Sequence, residues 1–366
     1  MLNFFMPTRV LSGINCLKEN SNILTGLGSR AFIVTGKKSS SQNGSLNDII
    51  TILEQNNIHY TLYNEINSNP SIQEVQDAAK IAKKTNPSFI IGIGGGSPLD
   101  AAKAIAILAT NDLDEKQLFT GIYSEAPLPI IAVPTTAGTG SEVTPYSILT
   151  DYINETKKCI SSPTIFPKVA FLDARYTMNL PTEITINTAL DALSHALEGY
   201  LSVKATTISN IFAEKALTIL GKALPKTLHH LTIDDREDLL YSSMLAGIVI
   251  AQAGTTAAHA MGYSLTFYKD IDHGKANGLV MYEYLKFINN HQHELVNKVL
   301  SLLQLKTLDD FGILLHNLLG TTPKLSIDEL NLFVAKTFQS PNVSNTNPVP
   351  NRHDIENIFR NSFIIE

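Results

Sequence analysis

A group of glycines between two apolar segments constrains the fold of this chain more than any other feature of its sequence. The stretch IGIGGGSPLDAAKAIA, residues 91–106, contains Gly92, Gly94, Gly95 and Gly96. Glycine weakens strands and helices by roughly 0.5–1 kcal/mol per site relative to alanine. Their grouping therefore indicates that another group, from a ligand or from the protein itself, comes close to the backbone at this point.

The segments on either side of the glycines predict a strand followed by a helix. Residues 89–95 form an apolar run typical of a buried strand, and Ser97 with Pro98 predicts a helix start in which Ser97 is the N-cap. This order favours phosphate binding, because amide N–H groups and the helix dipole face the anion. The spacing matches neither the Rossmann fingerprint nor a P-loop, and the alternative is a tight turn that binds no ligand.

A second loop of the same kind, PTTAGTGSEVTPYS at residues 134–147, also follows an apolar strand. It combines glycines with hydroxyl side chains, which suit a pyrophosphate or a ribose: Gly138, Gly140, Thr135, Thr136, Thr139, Ser141 and Thr144. The alternative is a polar loop with capping residues. Two such loops after strands of one sheet favour a dinucleotide at the carboxyl ends of the strands.

The rhythm of the sequence predicts two domains. Strand-like runs at residues 30–36, 59–64, 88–96, 129–136 and 168–173 alternate with helical segments, which predicts a parallel sheet covered on both faces. From residue 179 onward the apolar pattern is helical nearly to the end. We therefore expect a Rossmann-like α/β dinucleotide-binding domain over residues 1–180 and an all-helical domain over residues 181–366, with the site in the cleft between them.

Composition excludes several classes of protein. A length of 366 residues favours two domains, and a net charge of −6 argues against binding to nucleic acid. The apolar runs fall short of the ~20 residues of a membrane span, and the start of the chain does not resemble a secretion signal. Two distant cysteines, Cys16 and Cys159, form no disulfide framework, so we expect a cytoplasmic protein.

One aspartate and three histidines lie on apolar helical segments. Asp191 and His195 are four residues apart and share a helix face, while His259 and His273 follow in later segments. Carboxylate and imidazole donors suit a divalent transition metal. The alternative for each histidine alone is a core or surface residue, and spacing alone does not show that the four converge.

The motifs taken together resemble the iron-containing (group III) alcohol dehydrogenases. GGGSPLDAAKA, PTTAGTGSEVT, DALSHALEGY and HAMGYSLTFYKDIDHGKAN occur in the family's order, and the resemblance runs from MPTRV to NPVPNRHDIENIF. Within the family the chain looks most like the shorter bacterial members that use NADP. The resemblance implies a dehydroquinate synthase-like architecture, with an N-terminal dinucleotide domain and a helical C-terminal domain.

The resemblance also implies roles for individual residues. The ligands of Fe²⁺, or alternatively Zn²⁺, would be Asp191, His195, His259 and His273. The pyrophosphate and nearby ribose would be held by Gly95, Gly96, Ser97 and Asp100. The second loop would contribute Thr135, Thr136, Thr139 and Ser141, with Lys158 at the cofactor ribose and Asn69 beside the adenosine end.

Two positions depart from the common family pattern. Tyr263 stands where many members carry a histidine assigned to proton relay, so the relay passes either through Tyr263 or, as we favour, through ribose hydroxyls and water. After the first strand, NAD-preferring members often carry an aspartate, whereas this chain has Gly36, Lys37, Lys38 and Ser39. Lysines and hydroxyls can receive a 2′-phosphate, which favours NADP over NAD.

The resemblance predicts an oxidoreductase that transfers a hydride between NADP(H) and a small primary alcohol, diol or aldehyde, for example butanol or 1,3-propanediol. Alternatives within the fold are a reductase of a charged aldehyde such as a phosphonoaldehyde, a glycerol dehydrogenase-like enzyme and a sugar-phosphate cyclase. An alternative of another class is a nonenzymatic assembly protein. We expect a homodimer or larger homo-oligomer, with no nucleic acid or membrane partner.

Overall fold

The computed structural model describes residues 3–366, and the chain forms two compact units. One is Met6–Leu180, and the other is Pro181–Glu366 together with residues 3–5. Residues 3–5 were expected in the first domain, whereas they pack with the second unit. There Phe4 stacks on Phe212 at 5.7 Å between ring centroids.

The first unit, Met6–Leu180, is built on a parallel sheet. Its strands are β1 (Arg9–Ser12), β2 (Arg30–Gly36), β3 (His59–Ile66), β4 (Phe89–Gly94), β5 (Ile130–Pro134), β6 (Tyr146–Asp151), β7 (Thr156–Ser161) and β8 (Val169–Leu172). Its helices are α1 (Cys16–Glu19), α2 (Asn22–Thr25), α3 (Ser39–Gln42), α4 (Ser45–Gln55), α5 (Ile72–Thr85), α6 (Gly96–Thr110) and α7 (Glu115–Leu118). Within residues 3–366 the main sheet has six strands in the order β1-β8-β5-β4-β2-β3, all parallel.

Both faces of this sheet are covered. Alternate residues of β2 face opposite ways, so Phe32 joins one hydrophobic cluster and Ile33 joins the other. Every residue of β4 and β5 is buried, which explains why these strands are continuous apolar runs. The predicted parallel α/β architecture is confirmed.

Two strand regions of the first unit are absent from the sequence prediction. β1 lies at the sheet edge beside β8, and β6 pairs with β7 as an antiparallel hairpin outside the main sheet. The hairpin follows directly from the second glycine-containing loop. The hairpin also contacts α6, since Ile148 N of β6 donates to Asp100 Oδ2 of α6.

The second unit is helical. Its helices are α8 (Thr182–Leu201), α9 (Thr207–Ala223), α10 (Ile233–Ala253), α11 (Ala257–Lys269), α12 (His273–Asn289), α13 (His293–Leu302), α14 (Leu308–Leu319), α15 (Ile327–Thr337) and α16 (Arg352–Ser362). One small departure from an all-helical domain is a parallel pair of two-residue strands, β9 (Lys324–Leu325) and β10 (Ile364–Ile365).

Helix α8 is buried over most of its length. Its residues from Ala189 to Leu201 are all buried, and it packs against α9, α10 and α12. Burial on every side is typical of a core helix rather than of an amphipathic surface helix. The polar residues on such a helix must find partners inside the unit.

Among residues 3–366 no single helix has the length and apolar composition to cross a membrane. The helices α10 and α11 meet both criteria only as a pair, with a bend of 112° between them.

Candidate metal centre and nucleotide loops

Three helices of the second unit bring one carboxylate and three imidazoles together. Helix α8 carries Asp191 and His195 one turn apart, α11 carries His259 in its first turn, and α12 begins at His273. The Nε2 atom of each of the three histidines lies 3.8 Å from the same oxygen, Oδ1 of Asp191. The four residues singled out in the sequence therefore converge on one point.

The cluster is buried and carries negative charge at its centre. Asp191, His195 and His259 are buried, and the side chain of His273 is 27% exposed. Burial alone would raise the pKa of Asp191, but the three neighbouring histidines outweigh it and hold that pKa below its usual value. A buried carboxylate that stays ionised among imidazoles is a donor set suited to a divalent cation.

The first nucleotide loop differs in detail from its prediction. Strand β4 ends at Gly94, and α6 already begins at Gly96 with Gly95 as its N-cap, so the prediction of Ser97 as the N-cap is wrong. The helix therefore begins two residues earlier than predicted, directly after a turn in which Gly94 adopts a φ of 148°. The amides of Gly96 and Ser97 therefore precede the first helical hydrogen bond, from Leu99 N to Gly95 O.

The second loop packs directly on the first. A methyl group added at Gly95 would lie 3.1 Å from Oγ1 of Thr136, and one added at Gly96 would lie 2.7 Å from Cγ2 of Thr139. Thr135 N donates to Gly94 O at 2.9 Å, which ties the two loops together at the ends of β4 and β5. The absence of side chains in the first loop thus makes room for the threonines of the second.

A buried polar network holds α6 against the second loop. Ser141 Oγ donates to Oδ1 of Asp100 at 2.6 Å, and Ile148 N donates to Oδ2 at 2.9 Å. The fully buried Lys103 donates to Ser141 Oγ at 2.7 Å and to Tyr146 O at 2.7 Å. Burial lowers the pKa of Lys103 to about 8. Asp100 and Ser141 thus have partners within the protein, and their predicted contact with a cofactor stays a prediction.

The remaining cofactor candidates also have partners in the first unit. Lys158 Nζ lies 2.6 Å from Asp151 Oδ2 and 2.9 Å from Glu115 Oε1. Asn69, in a left-handed conformation, donates its N–H to Ser97 Oγ at 3.1 Å. Asn69 therefore lies next to the start of α6, which is the end of the loop expected to receive the pyrophosphate.

The end of β2 carries the residues expected at the adenosine ribose. Gly36 ends the strand, and Lys37, Lys38 and Ser39 are exposed in the turn into α3. Ser40 is buried instead, and Thr35 Oγ1 donates to its hydroxyl at 2.6 Å. The lysines and Ser39 are therefore the accessible polar groups of this turn.

Comparison with known proteins assigns the chain to a family. A family model described as iron-containing alcohol dehydrogenase matches residues 7–174, and one described as Fe-containing alcohol dehydrogenase family, C-terminal, matches residues 185–318. The chain belongs to the iron-containing alcohol dehydrogenase family. The recognition made from the sequence motifs is thereby confirmed.

Individual members of the family show how far the similarity extends. A crystal structure of an iron-containing alcohol dehydrogenase from Thermotoga maritima is 40% identical, with a TM-score of 0.92 and coverage of 99% of both chains. An NADPH-dependent butanol dehydrogenase of Clostridium saccharobutylicum is 30% identical over 78% of this chain and 74% of its own. An NAD-dependent methanol dehydrogenase of Bacillus methanolicus is 29% identical over 77% of this chain and 74% of its own.

The iron implied by the family fits the cluster in this chain. The structure brings Asp191 Oδ1 and three imidazole nitrogens together in a buried place, and this mixture of nitrogen and oxygen donors is typical of divalent transition-metal sites. Asp191, His195, His259 and His273 would hold the ion.

Two polar residues of the candidate metal centre were not predicted from the sequence. Glu198, on α8, is fully buried and contacts Nδ1 of His259. Asn277, on α12, places Nδ2 at 3.2 Å from Asp191 Oδ1 and 3.1 Å from His259 Nε2. The available signal was their position: Glu198 follows His195 by three residues and Asn277 follows His273 by four, so each shares a helix face with a candidate ligand.

Tyr263 lies beside the cluster. Its ring stacks on that of His273 at 5.6 Å between centroids, with an angle of 10° between the rings, and meets His259 edge-on at 6.4 Å. The structure thus places an aromatic ring against two of the imidazoles. A role for its hydroxyl in proton relay stays a prediction.

Proposed function

We propose that this chain is an iron-dependent alcohol dehydrogenase that transfers a hydride reversibly between NADP(H) and a small primary alcohol, diol or aldehyde. The observation that supports it best is the convergence of three histidine Nε2 atoms on Oδ1 of Asp191 at 3.8 Å each. A structural role alone does not require four metal donors at one buried point. The family assignment adds the redox chemistry.

The residues divide the work of the reaction. Iron, when bound, supplies a Lewis acid that stabilises an alkoxide and lowers the pKa of the alcohol. Asp191 and the three histidines would hold it in a buried place that limits access of water. The amides of Gly96 and Ser97 at the start of α6 would bind the pyrophosphate of the nucleotide, and the cofactor carries the hydride.

The preference for NADP rests on the turn after β2. Lys37, Lys38 and Ser39 are exposed there, and the turn has no carboxylate that would repel a 2′-phosphate. A lysine ammonium interacts with a phosphate as a compact point charge. The relatives described above are divided between NADPH and NAD, so the support for NADP comes from this turn of the chain.

A substitution at Lys37 tests the preference for NADP. We expect Lys37→Ala to raise the KM for NADPH by about 10-fold, since a charged hydrogen bond contributes about 1.5–3 kcal/mol, and to change the KM for NADH less than about twofold. Lys18→Ala, at an exposed lysine of α1, is the matched control. Equal effects on both cofactors would assign the turn a role other than binding the 2′-phosphate.

The reaction is tested by anaerobic oxidation of NADPH with butanal and 3-hydroxypropanal. Iron-reconstituted protein is compared with chelator-stripped protein, with NADH in parallel. We expect turnover that requires metal and prefers NADPH. Turnover that survives removal of the metal would contradict the mechanism. Binding of NADPH without turnover would contradict this substrate class, and charged aldehydes would then be tested next.

The proposed assembly is a homodimer or larger homo-oligomer. Light scattering coupled to gel filtration gives the mass in solution, against 40.0 kDa for one chain. A mass of one chain would contradict this part of the proposal.

A further inference from the structure

Glu198 is a buried carboxylate whose two oxygens face different partners. Oε1 accepts from Nδ1 of His259. Oε2 accepts from Thr256 N at 2.7 Å, from Thr256 Oγ1 at 2.6 Å and from His259 N at 3.2 Å. Every partner of this carboxylate lies at the start of α11, although Glu198 itself is on α8. A buried charge with four donors is well satisfied.

The contacts of Oε2 complete the N-terminus of α11. This helix begins after Thr256, and the Thr256 side chain makes no capping hydrogen bond to the helix in the part of the chain that is described. The first N–H groups of a helix need acceptors, and a negative charge there is favoured by the helix dipole. Glu198 supplies both from a neighbouring helix, so it fixes where α11 starts and therefore where His259 stands.

The contact of Oε1 determines which nitrogen of His259 carries the proton. A carboxylate facing Nδ1 favours the tautomer with hydrogen on Nδ1, which leaves a lone pair on Nε2. Nε2 is the atom that lies 3.8 Å from Oδ1 of Asp191. Second partners of this kind orient metal-bound imidazoles and raise their basicity.

We propose that Glu198 is a positioning residue for the metal ligand His259. It fixes both the tautomer of the His259 imidazole and the position of that ring. The inference rests on the metal site of the proposed function. Asp191, His195 and Glu198 lie on one face of α8, so a single helix presents two ligands and the carboxylate that orients a third.

A double-mutant cycle tests this inference by the affinity for Fe²⁺, titrated anaerobically against a chromophoric chelator. In Glu198→Gln an amide NH₂ faces either Nδ1 of His259 or the donors at the start of α11. We expect Fe²⁺ to bind about 10–100-fold more weakly than to the wild type. In a His259→Ala background the same change should have less than about a threefold effect, because its target is gone.

Thr256→Val separates positioning from packing. It removes the hydroxyl that donates to Oε2 but keeps the two backbone N–H donors of Oε2 and the contact of Oε1 with His259. Fe²⁺ affinity should therefore stay within about threefold of the wild type. If Glu198→Gln does not fold, Glu198→Asp takes its place. It keeps the charge but is shorter by one methylene, and we expect Fe²⁺ to bind about 10-fold more weakly.

The outcomes distinguish this inference from the proposed function. Wild-type protein that fails to bind Fe²⁺ stoichiometrically would remove the metal site and this inference with it. If the wild type binds and Glu198→Gln binds equally well, the inference alone fails. It also fails if the His259→Ala background shows the full loss, or if Thr256→Val weakens binding as much as Glu198→Gln.

Discussion

The two candidate sites of this protein are built from different materials. The nucleotide loops offer mainly backbone groups, because glycines leave the backbone uncovered, and each loop lies within a short stretch of chain at the end of a strand. The metal cluster consists of side chains from helices α8, α11 and α12, spread over residues 191–273. The loops are therefore specified by local sequence, whereas the cluster depends on how the helices pack.

This difference determines how each site can be damaged. In the loops, adding a single carbon creates a clash, as at Gly96, where it would lie 2.7 Å from Cγ2 of Thr139. In the cluster, removing a single oxygen or nitrogen takes away a donor that nothing replaces. The following predictions separate these two kinds of sensitivity, from the largest expected effect to the smallest.

Loss of the central carboxylate should have the largest effect. We expect Asp191→Ala to lose iron during purification and to lower kcat/KM on the order of 1,000-fold, which corresponds to several kcal/mol of transition-state stabilisation. Metal analysis and steady-state kinetics measure both. Asp309→Ala, at an exposed aspartate of α14, is the control. A variant at Asp191 that kept iron and activity would mean that the cluster is not the metal site.

A methyl group in the first loop should damage the nucleotide site alone. We expect Gly96→Ala to raise the Kd for NADPH up to about 100-fold, because relieving a clash that costs about 1–3 kcal/mol moves the loop amides away from the position that suits a pyrophosphate. Iron content should stay unchanged. Fluorescence titration with NADPH measures the affinity. Gly26→Ala is the matched control, because its added carbon would meet Ile23 O at an ordinary 3.5 Å. Unchanged NADPH affinity in Gly96→Ala would argue against nucleotide binding at this loop.

Glu142, buried in the second loop region, should make stability depend on pH. Burial raises the pKa of its carboxyl from 4.5 to about 7. The unfolded carboxyl thus loses its proton at lower pH than the folded one, so the free energy of unfolding falls as pH rises from about 4.5 to about 7.

Substitution of Glu142 tests this dependence. The difference in free energy of unfolding between Glu142→Gln and the wild type should rise by about 3 kcal/mol in favour of the variant from pH 4 to pH 8, because each pKa unit corresponds to about 1.4 kcal/mol. Urea unfolding of both proteins at the two pH values measures it. Glu125→Gln, at an exposed carboxyl, is the control for the substitution itself. A pH-independent difference for Glu142→Gln would show that this carboxyl is ionised in the folded protein.

Tyr263 should contribute least. We expect Tyr263→Phe to lower kcat about threefold or less, because the ring that stacks on His273 is kept and the proton is expected to pass through ribose hydroxyls and water. General acid–base groups typically contribute about 100-fold or more, so a loss of that size, with a changed pH profile of kcat, would assign the relay to the Tyr263 hydroxyl.

The fold and the two sites were predictable from the sequence to different degrees. The alternation of strand-like and helical runs was sufficient for the parallel sheet, because buried strands must be apolar throughout. The Asp191–His195 pair was visible from helix geometry, but its convergence with His259 and His273 was implied only by family resemblance. Long-range packing of helices leaves no periodic pattern in the sequence.

The errors have specific physical causes. Ser97 has the residue type of an N-cap, but the glycines before it allow the helix to begin at Gly96, so Ser97 lies inside the first turn. Glu198 was not predicted as part of the cluster because its partner, His259, is 61 residues away on another helix. The contacts of Asp100 with the backbone and side chains of the second loop were hidden for the same reason.

The single face of α8 that carries Asp191, His195 and Glu198 has a consequence for how this protein can evolve. A helix turns about 100° per residue, so inserting or deleting one residue between Asp191 and Glu198 would swing at least one of them away from its partners. A substitution can be compensated one position at a time, but a change of length here disables the centre in one step. Natural variation in length must therefore accumulate in the connecting loops, and the segment from Asp191 to Glu198 should keep a constant length.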